Sequence, residues 1–209
     1  MEAVLDLYEE EPDPRRPRVN FDEQSYQMLA EVRDPLPAKA AQPLRYDYQY
    51  QRKGTCNLFL FFCPDTGWRE VKVTPQRTAI DFAHCMKDLV DVHFPDAEVV
   101  RVILDNLNTH TPASLYEAFA PAEARRILKK LEFHFTPKHG SWLNMAEIEF
   151  SVLTRQCLDR RLPELESVAR VAAAWVRDRN AKGATVQWRF TTTHARGKLQ
   201  RLYPSSLEW

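Results

Sequence analysis

Three acidic side chains lie in the sequence where they could hold metal ions together. Asp22 and Asp105 each follow an apolar run, and Glu147 lies near the start of a long amphipathic pattern. Clustered carboxylates raise one another's pKa unless a cation lies among them. Hard oxygen ligands suit Mg²⁺ or Mn²⁺, and two such ions roughly 3.5–4 Å apart can activate an attacking oxygen and stabilise the leaving oxygen at phosphorus. The residues therefore predict metal-assisted chemistry on a phosphodiester.

The first two carboxylates are expected at the ends of neighbouring strands. Residues 99–104 form an apolar, β-branched run without helical periodicity, which is typical of a buried central strand. Because sites in open α/β sheets form beyond the carboxyl ends of such strands, Asp105 should be open to a ligand. Residues 18–21 are a short strand candidate that ends at Asp22, and Asp22 reaches Asp105 if the two strands lie side by side.

The third carboxylate should face the sheet from a helix over residues 144–158. The core-facing stripe of this helix is Leu143, Ala146, Phe150, Leu153 and Cys157. Glu147 lies on that stripe, whereas Glu149 is about 200° away from it and is expected to face outward. Other interpretations stay open, because Asn144 and Glu147 also fit a capping box, and both aspartates fit turn or cap positions.

The other strand candidates predict an α/β fold with a mixed sheet of about five strands. Residues 55–62 and 68–73 should form a hairpin across the turn at 64–67. Residues 45–52 alternate tyrosines with polar residues, so we expect a strand with Tyr46, Tyr48 and Tyr50 on one face. Residues 132–135 should form the last strand.

Helices are expected on both sides of this sheet and as a C-terminal extension. Thr78 and Asp81 fit a capping box that opens a helix over residues 78–92. One side of this helix should carry Ile80, Ala83, Lys87 and Val90. Two further helices should begin at Pro112 and Pro121. Another should span residues 164–180, and a last helix should run through Leu202.

Composition permits a nucleic-acid partner and argues against a membrane span. Residues 1–13 hold six acids and no Lys or Arg, so the remaining 196 residues carry 29 basic and 23 acidic groups. This balance suits a polyanion, and solvated surface charge explains it about as well. The longest apolar run, residues 58–63, is too short to cross a bilayer, and the acidic N-terminus is unlike a signal peptide. Four scattered cysteines fit a reducing compartment, so we expect a cytoplasmic protein.

Three motifs, taken in order, resemble the catalytic signature of DDE transposases. They are Asp22-Glu23 after a strand, Asp105-Asn106-x-x-x-His110, and Pro137 followed by Ser141-Trp142-Leu143-Asn144-Met145-Ala146-Glu147. The resemblance is strongest to the bacterial insertion-sequence branch of the Tc/mariner superfamily. It extends over about residues 22–203 and includes stretches outside the motifs.

This resemblance implies a ribonuclease-H-like fold in which Asp22, Asp105 and Glu147 are the catalytic residues and bind two Mg²⁺ or Mn²⁺ ions. The implied reaction begins with water attacking a phosphodiester at the end of the element, after which the freed 3′-hydroxyl attacks target DNA. The implied partners are double-stranded DNA, as transposon ends and target, and a second copy of the chain in a homodimeric complex. The implied location is the bacterial nucleoid.

The resemblance also implies a domain organisation and two departures from the family pattern. Residues 1–17 would be an acidic connector remnant, 18–160 the catalytic domain and 161–209 a C-terminal helical extension. Forty-one residues separate Asp105 from Glu147, more than the commonest family spacing, which predicts an insertion within 111–131. Only about twenty residues precede Asp22, so the chain is expected to lack the N-terminal helix-turn-helix module that reads terminal repeats.

Six further residues are candidates for DNA contact: His110, Lys138, His139, Trp142, Arg160 and Arg161. Basic side chains contact phosphates, and tryptophan stacks on bases. The competing interpretation is a structural hydrogen bond for His110, core packing for Trp142 and ordinary solvated surface for the other four.

Two rival functions stay open at this level. The first is a catalytically silent transposase remnant that dimerises with or modulates a full-length transposase. The second is a hydrolase with zinc bound by Asp105, His110 and either His134 or His139, although the sequence contains no His-x-x-x-His spacing.

Overall fold

The computed structural model describes residues 1–203, and the last six residues of the predicted C-terminal extension lie outside them. The described residues form a five-stranded sheet in the order β3-β2-β1-β4-β5. The strands are β1 (Arg18–Glu31), β2 (Tyr50–Cys63), β3 (Trp68–Thr74), β4 (Val100–Leu104) and β5 (Leu131–Phe135). β2 pairs antiparallel with β1 and β3, whereas β4 lies parallel to β1 and β5. The predicted mixed α/β sheet is confirmed.

Helices cover both faces of the sheet. Those of the described chain are α1 (Glu2–Glu9), α2 (Ala79–Asp88), α3 (Ala113–Ala118), α4 (Pro121–Leu128), α5 (Met145–Leu153), α6 (Leu165–Ala181) and α7 (Thr192–Lys198). Because side chains alternate along a strand, Phe59 and Phe61 of β2 pack with α2, while Leu58 and Leu60 pack with α5 and α6. Within residues 1–203, no helix is both long and apolar enough to cross a membrane.

β1 is much longer than the sequence predicted, and Asp22 lies inside it rather than after its end. The strand continues to Glu31 because its second half pairs antiparallel with β2, from Asp22 opposite Leu60 to Glu31 opposite Tyr50. Residues 24 and 25 are exposed, so this half lacks the apolar pattern of a buried strand. The short-strand prediction was therefore wrong about length.

The predicted tyrosine strand over residues 45–52 is also wrong. Tyr46, Tyr48 and Tyr50 are exposed by 66%, 85% and 49%, and β2 begins only at Tyr50. The guanidinium of Arg161 donates to the backbone oxygens of Asp47 (2.7 Å) and residue 49 (2.8 Å). The side chain of Arg161, which is distant in sequence, therefore donates the hydrogen bonds that a neighbouring strand would donate to these carbonyls in a sheet.

α2 begins as predicted, and the side that faces the core does not include Ile80. The hydroxyl of Thr78 accepts from the backbone N–H of Asp81 at 3.2 Å, and the Asp81 carboxylate accepts from the backbone N–H of Thr78 at 2.8 Å. The buried side carries Phe82, Ala83, Cys85 and Met86, whereas Ile80 is 48% exposed. The large side chain of Phe82 packs edge-on against Phe21 of β1, which sets the rotation of the helix.

The N-terminal segment packs closely against the rest of the fold. Val4, Leu5 and Leu7 of α1 are buried against residues of β4, the loop before α5, and α7. The hydroxyl of Tyr8 lies 2.5 Å from Oδ1 of Asn20 on β1 and donates to it. The segment predicted as a connector is thus bonded to the predicted catalytic domain, and the domain boundaries at residues 17 and 160 stay predictions.

Candidate metal centre

The parallel pairing of β1 and β4 brings the two aspartates to the same level of the sheet. Asn20 of β1 is in register with Ile103 of β4. Asp22 lies two residues after Asn20 on β1. Asp105 lies two residues after Ile103 and directly follows the end of β4. Because side chains two residues apart share one face of a strand, Asp22 points to the same side as Asn20, where α5 begins.

The start of α5 is held directly against β1 beside Asp22. The side-chain amide of Asn144 donates to the backbone oxygen of Phe21 at 2.8 Å, and the backbone N–H of Met145 donates to Oδ1 of Asn20 at 3.0 Å. Asn144 also caps the helix, because its Oδ1 accepts from the backbone N–H of residue 146. Glu147 therefore follows a firmly placed helix start.

Asp22 and Glu147 line the same open cavity of about 450 Å³. The side chain of Glu147 is exposed toward this space, and among the described residues it does not close the capping box with Asn144 that the sequence allowed. Two of the three predicted carboxylates thus share one cavity, and the third lies at the end of the neighbouring strand.

The loop before α5 has a tightly constrained backbone. A Cβ on Gly140 would lie 2.6 Å from Cγ of Pro137, so only glycine fits there. His139 adopts a left-handed conformation with φ of 62°, which costs energy in a non-glycine residue and persists only where the surroundings impose it. Lys138 and His139 are exposed on this loop, as a DNA contact would require.

The electrostatics of the carboxylates suit a divalent cation. Burial, followed by the charges of Asp105 and Glu147, raises the pKa of Asp22 to about 7, although a hydrogen bond from the backbone N–H of Glu23 opposes the rise. A cation among these groups would replace that repulsion with attraction. Residues 1–203 contain no group of three or more His, Cys, Asp or Glu side chains already closed enough to hold a metal ion. The donor chemistry nevertheless fits Mg²⁺ or Mn²⁺.

His110 is buried, so the prediction that it contacts DNA is wrong. Its Nδ1 lies 2.6 Å from Oδ1 of Asp105 and its Nε2 lies 2.7 Å from Oε2 of Glu23. Burial alone would lower the pKa of His110, but the hydrogen bonds to Asp105 and Glu23 outweigh it and raise the pKa to about 9. Both ring nitrogens therefore lie directly against carboxylate oxygens, and the structure gives the zinc interpretation no support.

The other predicted DNA contacts divide into accessible and engaged side chains. Trp142 is 41% exposed and stacks on Trp188 at 6.3 Å between ring centroids. Arg160 is exposed. The prediction for Arg161 is wrong, because its guanidinium pairs with Glu31 and with the backbone carbonyls described above.

Arg155 is a candidate contact that the sequence reasoning missed. It lines the cavity of Asp22 and Glu147, and also a second cavity of about 330 Å³ that contains Glu147 and Trp142. Its guanidinium donates to the hydroxyl of Ser151 at 2.5 Å. Glu147, Ser151 and Arg155 recur every four residues, and this spacing on one helix face was the signal that could have found Arg155.

Glu149 is completely buried, which corrects the prediction that it faces outward. Its Oε2 lies 2.7 Å from Nε of Arg69, which is also fully buried, and its Oε1 accepts from Arg179 at 2.8 Å. α5 packs against the sheet on one side and α6 on another, so two of its faces are covered. Helical spacing alone does not show the second covered face.

Comparisons with known proteins place this fold in a family. A model of the DDE superfamily endonucleases matches residues 17–169, and the chain belongs to this superfamily. No curated protein matches it.

Solved structures add a likeness in fold. The chain is similar to the Mos1 mariner paired-end complex with Mn, with a TM-score of 0.56 and 16% identity over 87% of this chain and 55% of that one. It is also similar to the Mos1 strand transfer complex, with a TM-score of 0.55 and 17% identity over 87% and 54%. The chain thus spans about half the length of the proteins in these structures. The predicted ribonuclease-H-like fold and the resemblance to Tc/mariner-type catalytic domains are confirmed.

Proposed function

We propose that this chain is the catalytic region of a DNA transposase of the Tc/mariner type, from the bacterial insertion-sequence branch. Asp22, Asp105 and Glu147 are its catalytic residues, and they hold two Mg²⁺ or Mn²⁺ ions. The observation that carries the proposal is that α5 is bonded to β1 so that Glu147 shares a cavity with Asp22, one strand away from Asp105. The proposed reaction is hydrolysis of a phosphodiester at an element end, followed by strand transfer.

The roles of the side chains follow from their positions. When bound, the two ions would activate the attacking oxygen and stabilise the leaving oxygen. Asp22 projects from inside β1 and Asp105 follows the end of β4, so two paired strands hold these carboxylates. Glu147 brings the third carboxylate from α5 to the cavity that it shares with Asp22.

The proposed partner is double-stranded DNA, bound along the exposed side of α5. Arg155 lies beside Glu147 and is placed to contact a phosphate near the cleaved bond. Lys138 and His139 flank the start of α5, and Arg160 follows its end. These cations supply the sequence-independent part of DNA binding, and a homodimer would align two element ends.

Metal-dependent nicking of supercoiled plasmid by the purified chain tests the proposal. We expect nicked product with Mg²⁺ or Mn²⁺ and none with EDTA. The chain's unfolding temperature, measured in the same buffers, shows whether it is folded. If a folded chain binds Mn²⁺ and DNA but leaves plasmid intact, the proposal of catalysis by this chain fails and the silent-remnant interpretation takes its place.

Replacing Trp142 by alanine should weaken binding of single-stranded DNA. Stacking of one base on an aromatic ring contributes about 1–3 kcal/mol, so the dissociation constant should rise roughly 5- to 150-fold. Fluorescence anisotropy with a labelled oligonucleotide measures the change. Trp142→Phe keeps an aromatic face and should bind within a few-fold of the wild type. Unchanged affinity of Trp142→Ala would show that Trp142 only packs against Trp188.

A further inference from the structure

Two buried side chains, those of Glu23 and His110, lie in a row behind Asp105. His110 lies between two carboxylates, with Nδ1 2.6 Å from Oδ1 of Asp105 and Nε2 2.7 Å from Oε2 of Glu23. The His110 and Glu23 side chains are only 1% and 3% exposed, whereas the Asp105 side chain is 33% exposed. Oδ1 of Asp105 is itself buried. The exposed part of this carboxylate is therefore its other oxygen, Oδ2.

The imidazole ring is held in one plane by aromatic neighbours. Phe82 lies against it at 4.9 Å and 32° between ring planes, and Phe21 meets it edge-on at 5.4 Å and 68°. Rotation of the ring would break its close contacts with both carboxylates and the contact of Nδ1 with the backbone oxygen of Asp105 at 3.3 Å, and it would clash with the two phenylalanines. Because the ring is fixed, the plane of the Asp105 carboxylate is fixed with it.

Glu23 takes part through the alternation of β1. Adjacent residues on a strand point to opposite faces, so Asp22 faces the metal cavity while Glu23 reaches the side of His110 and α2. Arg77 lies 3.7 Å from the other oxygen of Glu23 and is half exposed, so it adds only a weak outer contact. The side chains of these two consecutive acids thus face opposite sides of the sheet, Asp22 toward the metal cavity and Glu23 toward His110.

Fold stability alone does not account for this arrangement. Burying the Glu23 carboxylate, an imidazole and one oxygen of Asp105 is costly, and apolar side chains of similar volume usually stabilise a core as well or better. Hydrogen-bonded partners behind a metal ligand, by contrast, orient it and tune its metal affinity. The position of the two buried side chains, in a row behind Asp105, matches this second role.

We infer that Glu23 and His110 are a positioning pair that occupies Oδ1 of Asp105 and presents Oδ2 alone to a divalent cation. The inference rests on the proposed function, because it takes Asp105 as a metal ligand. Asp105 then binds the ion through Oδ2 alone, and the direction of that oxygen is fixed before the ion binds. His110 acts on the ion only through Asp105, and Glu23 acts only through His110.

The test measures Mn²⁺ affinity directly, by the electron paramagnetic resonance signal of free Mn²⁺, together with thermal unfolding. His110→Leu removes both hydrogen bonds and should weaken Mn²⁺ binding about 10- to 100-fold. His110→Asn places an amide nitrogen near the position of Nδ1 and should restore most of the affinity. Glu23→Gln keeps the shape of the pair and should give a smaller loss. Glu117→Gln, an exposed acid elsewhere on α3, is the matched control and should bind as the wild type does.

A purely structural role predicts a different pattern. In that case His110→Leu lowers the unfolding temperature and leaves Mn²⁺ affinity unchanged, which overturns the inference. If His110→Leu does not fold, His110→Asn and Glu23→Gln still test the inference, because both keep hydrogen-bonding groups. If the wild-type chain binds no Mn²⁺, the proposed function itself is overturned. If the wild type binds Mn²⁺ and nicks DNA, and the variants bind Mn²⁺ as tightly, only the positioning role is overturned. The pair is further supported if saturating Mn²⁺ restores the nicking rate of His110→Leu.

Discussion

Glu147→Gln and Asp105→Asn should each reduce Mg²⁺-dependent nicking at least about a thousandfold while leaving the chain folded. Metal ions contribute several kcal/mol of charge stabilisation to such transition states, and about 4 kcal/mol corresponds to a thousandfold in rate. Each substitution keeps the shape of the side chain and removes the charge that holds the cation. Rates of plasmid nicking at saturating Mg²⁺ give the comparison.

Two controls separate lost chemistry from lost structure. Glu117→Gln removes the same charge from an exposed position and should nick at the wild-type rate. Burial raises the pKa of Asp22, and the charges of Asp105 and Glu147 raise it further, so removing one of these charges should leave the unfolding temperature in EDTA no lower than that of the wild type. Equal nicking by the wild type and both site variants would reject the assignment of these residues.

Glu149→Ala should destabilise the fold by about 3–5 kcal/mol, because it leaves a buried arginine without its partner. Arg69 is completely buried, and its Nε lies 2.7 Å from Glu149. Burial lowers the pKa of the Arg69 guanidinium, and the charge of Glu149 opposes that effect. The expected fall in unfolding temperature is roughly 6–20 °C for a chain of this size. Thermal melts by circular dichroism would measure it.

Removing both members of the pair should cost less than removing one. In Arg69→Met with Glu149→Leu, apolar groups of similar volume fill the space, and no unpaired charge remains between β3 and α5. Arg179, which is 19% exposed, can turn toward solvent. The double variant should therefore be more stable than Glu149→Ala, and the single effects should not add. A loss below about 1 kcal/mol in Glu149→Ala would show that water reaches this pair.

Local patterns in the sequence were sufficient for the elements whose neighbours are close along the chain. The hairpin of β2 and β3, the strand before Asp105 and the capping box of α2 are all confirmed. In the hairpin and the capping box, the pattern and the contacts that stabilise it lie close together along the chain, whereas β4 was recognisable because its apolar, β-branched run is by itself typical of a buried strand. The order of the three acidic motifs along the chain also indicated the superfamily whose model matches residues 17–169.

The errors arose where a residue's surroundings come from a distant part of the chain. Glu149 is buried because Arg69 and Arg179 reach it from β3 and α6, and no local pattern carries that information. Arg161 was expected on the surface and instead satisfies carbonyls more than a hundred residues earlier. The second half of β1 pairs with β2 alone and is only partly buried, so its mixed sequence does not resemble that of a central strand.

By itself, the sequence determined the mixed sheet and the superfamily, and it predicted which three carboxylates act together. These depend on residue types and short periodicities, which a single chain displays directly. The tertiary structure alone decided that Asp22 lies inside a long strand, that Glu147 faces the cavity while Glu149 pairs with two arginines, and that His110 lies buried between Asp105 and Glu23. These outcomes depend on which buried charges meet across the sheet, and folding settles that by pairing side chains far apart in sequence.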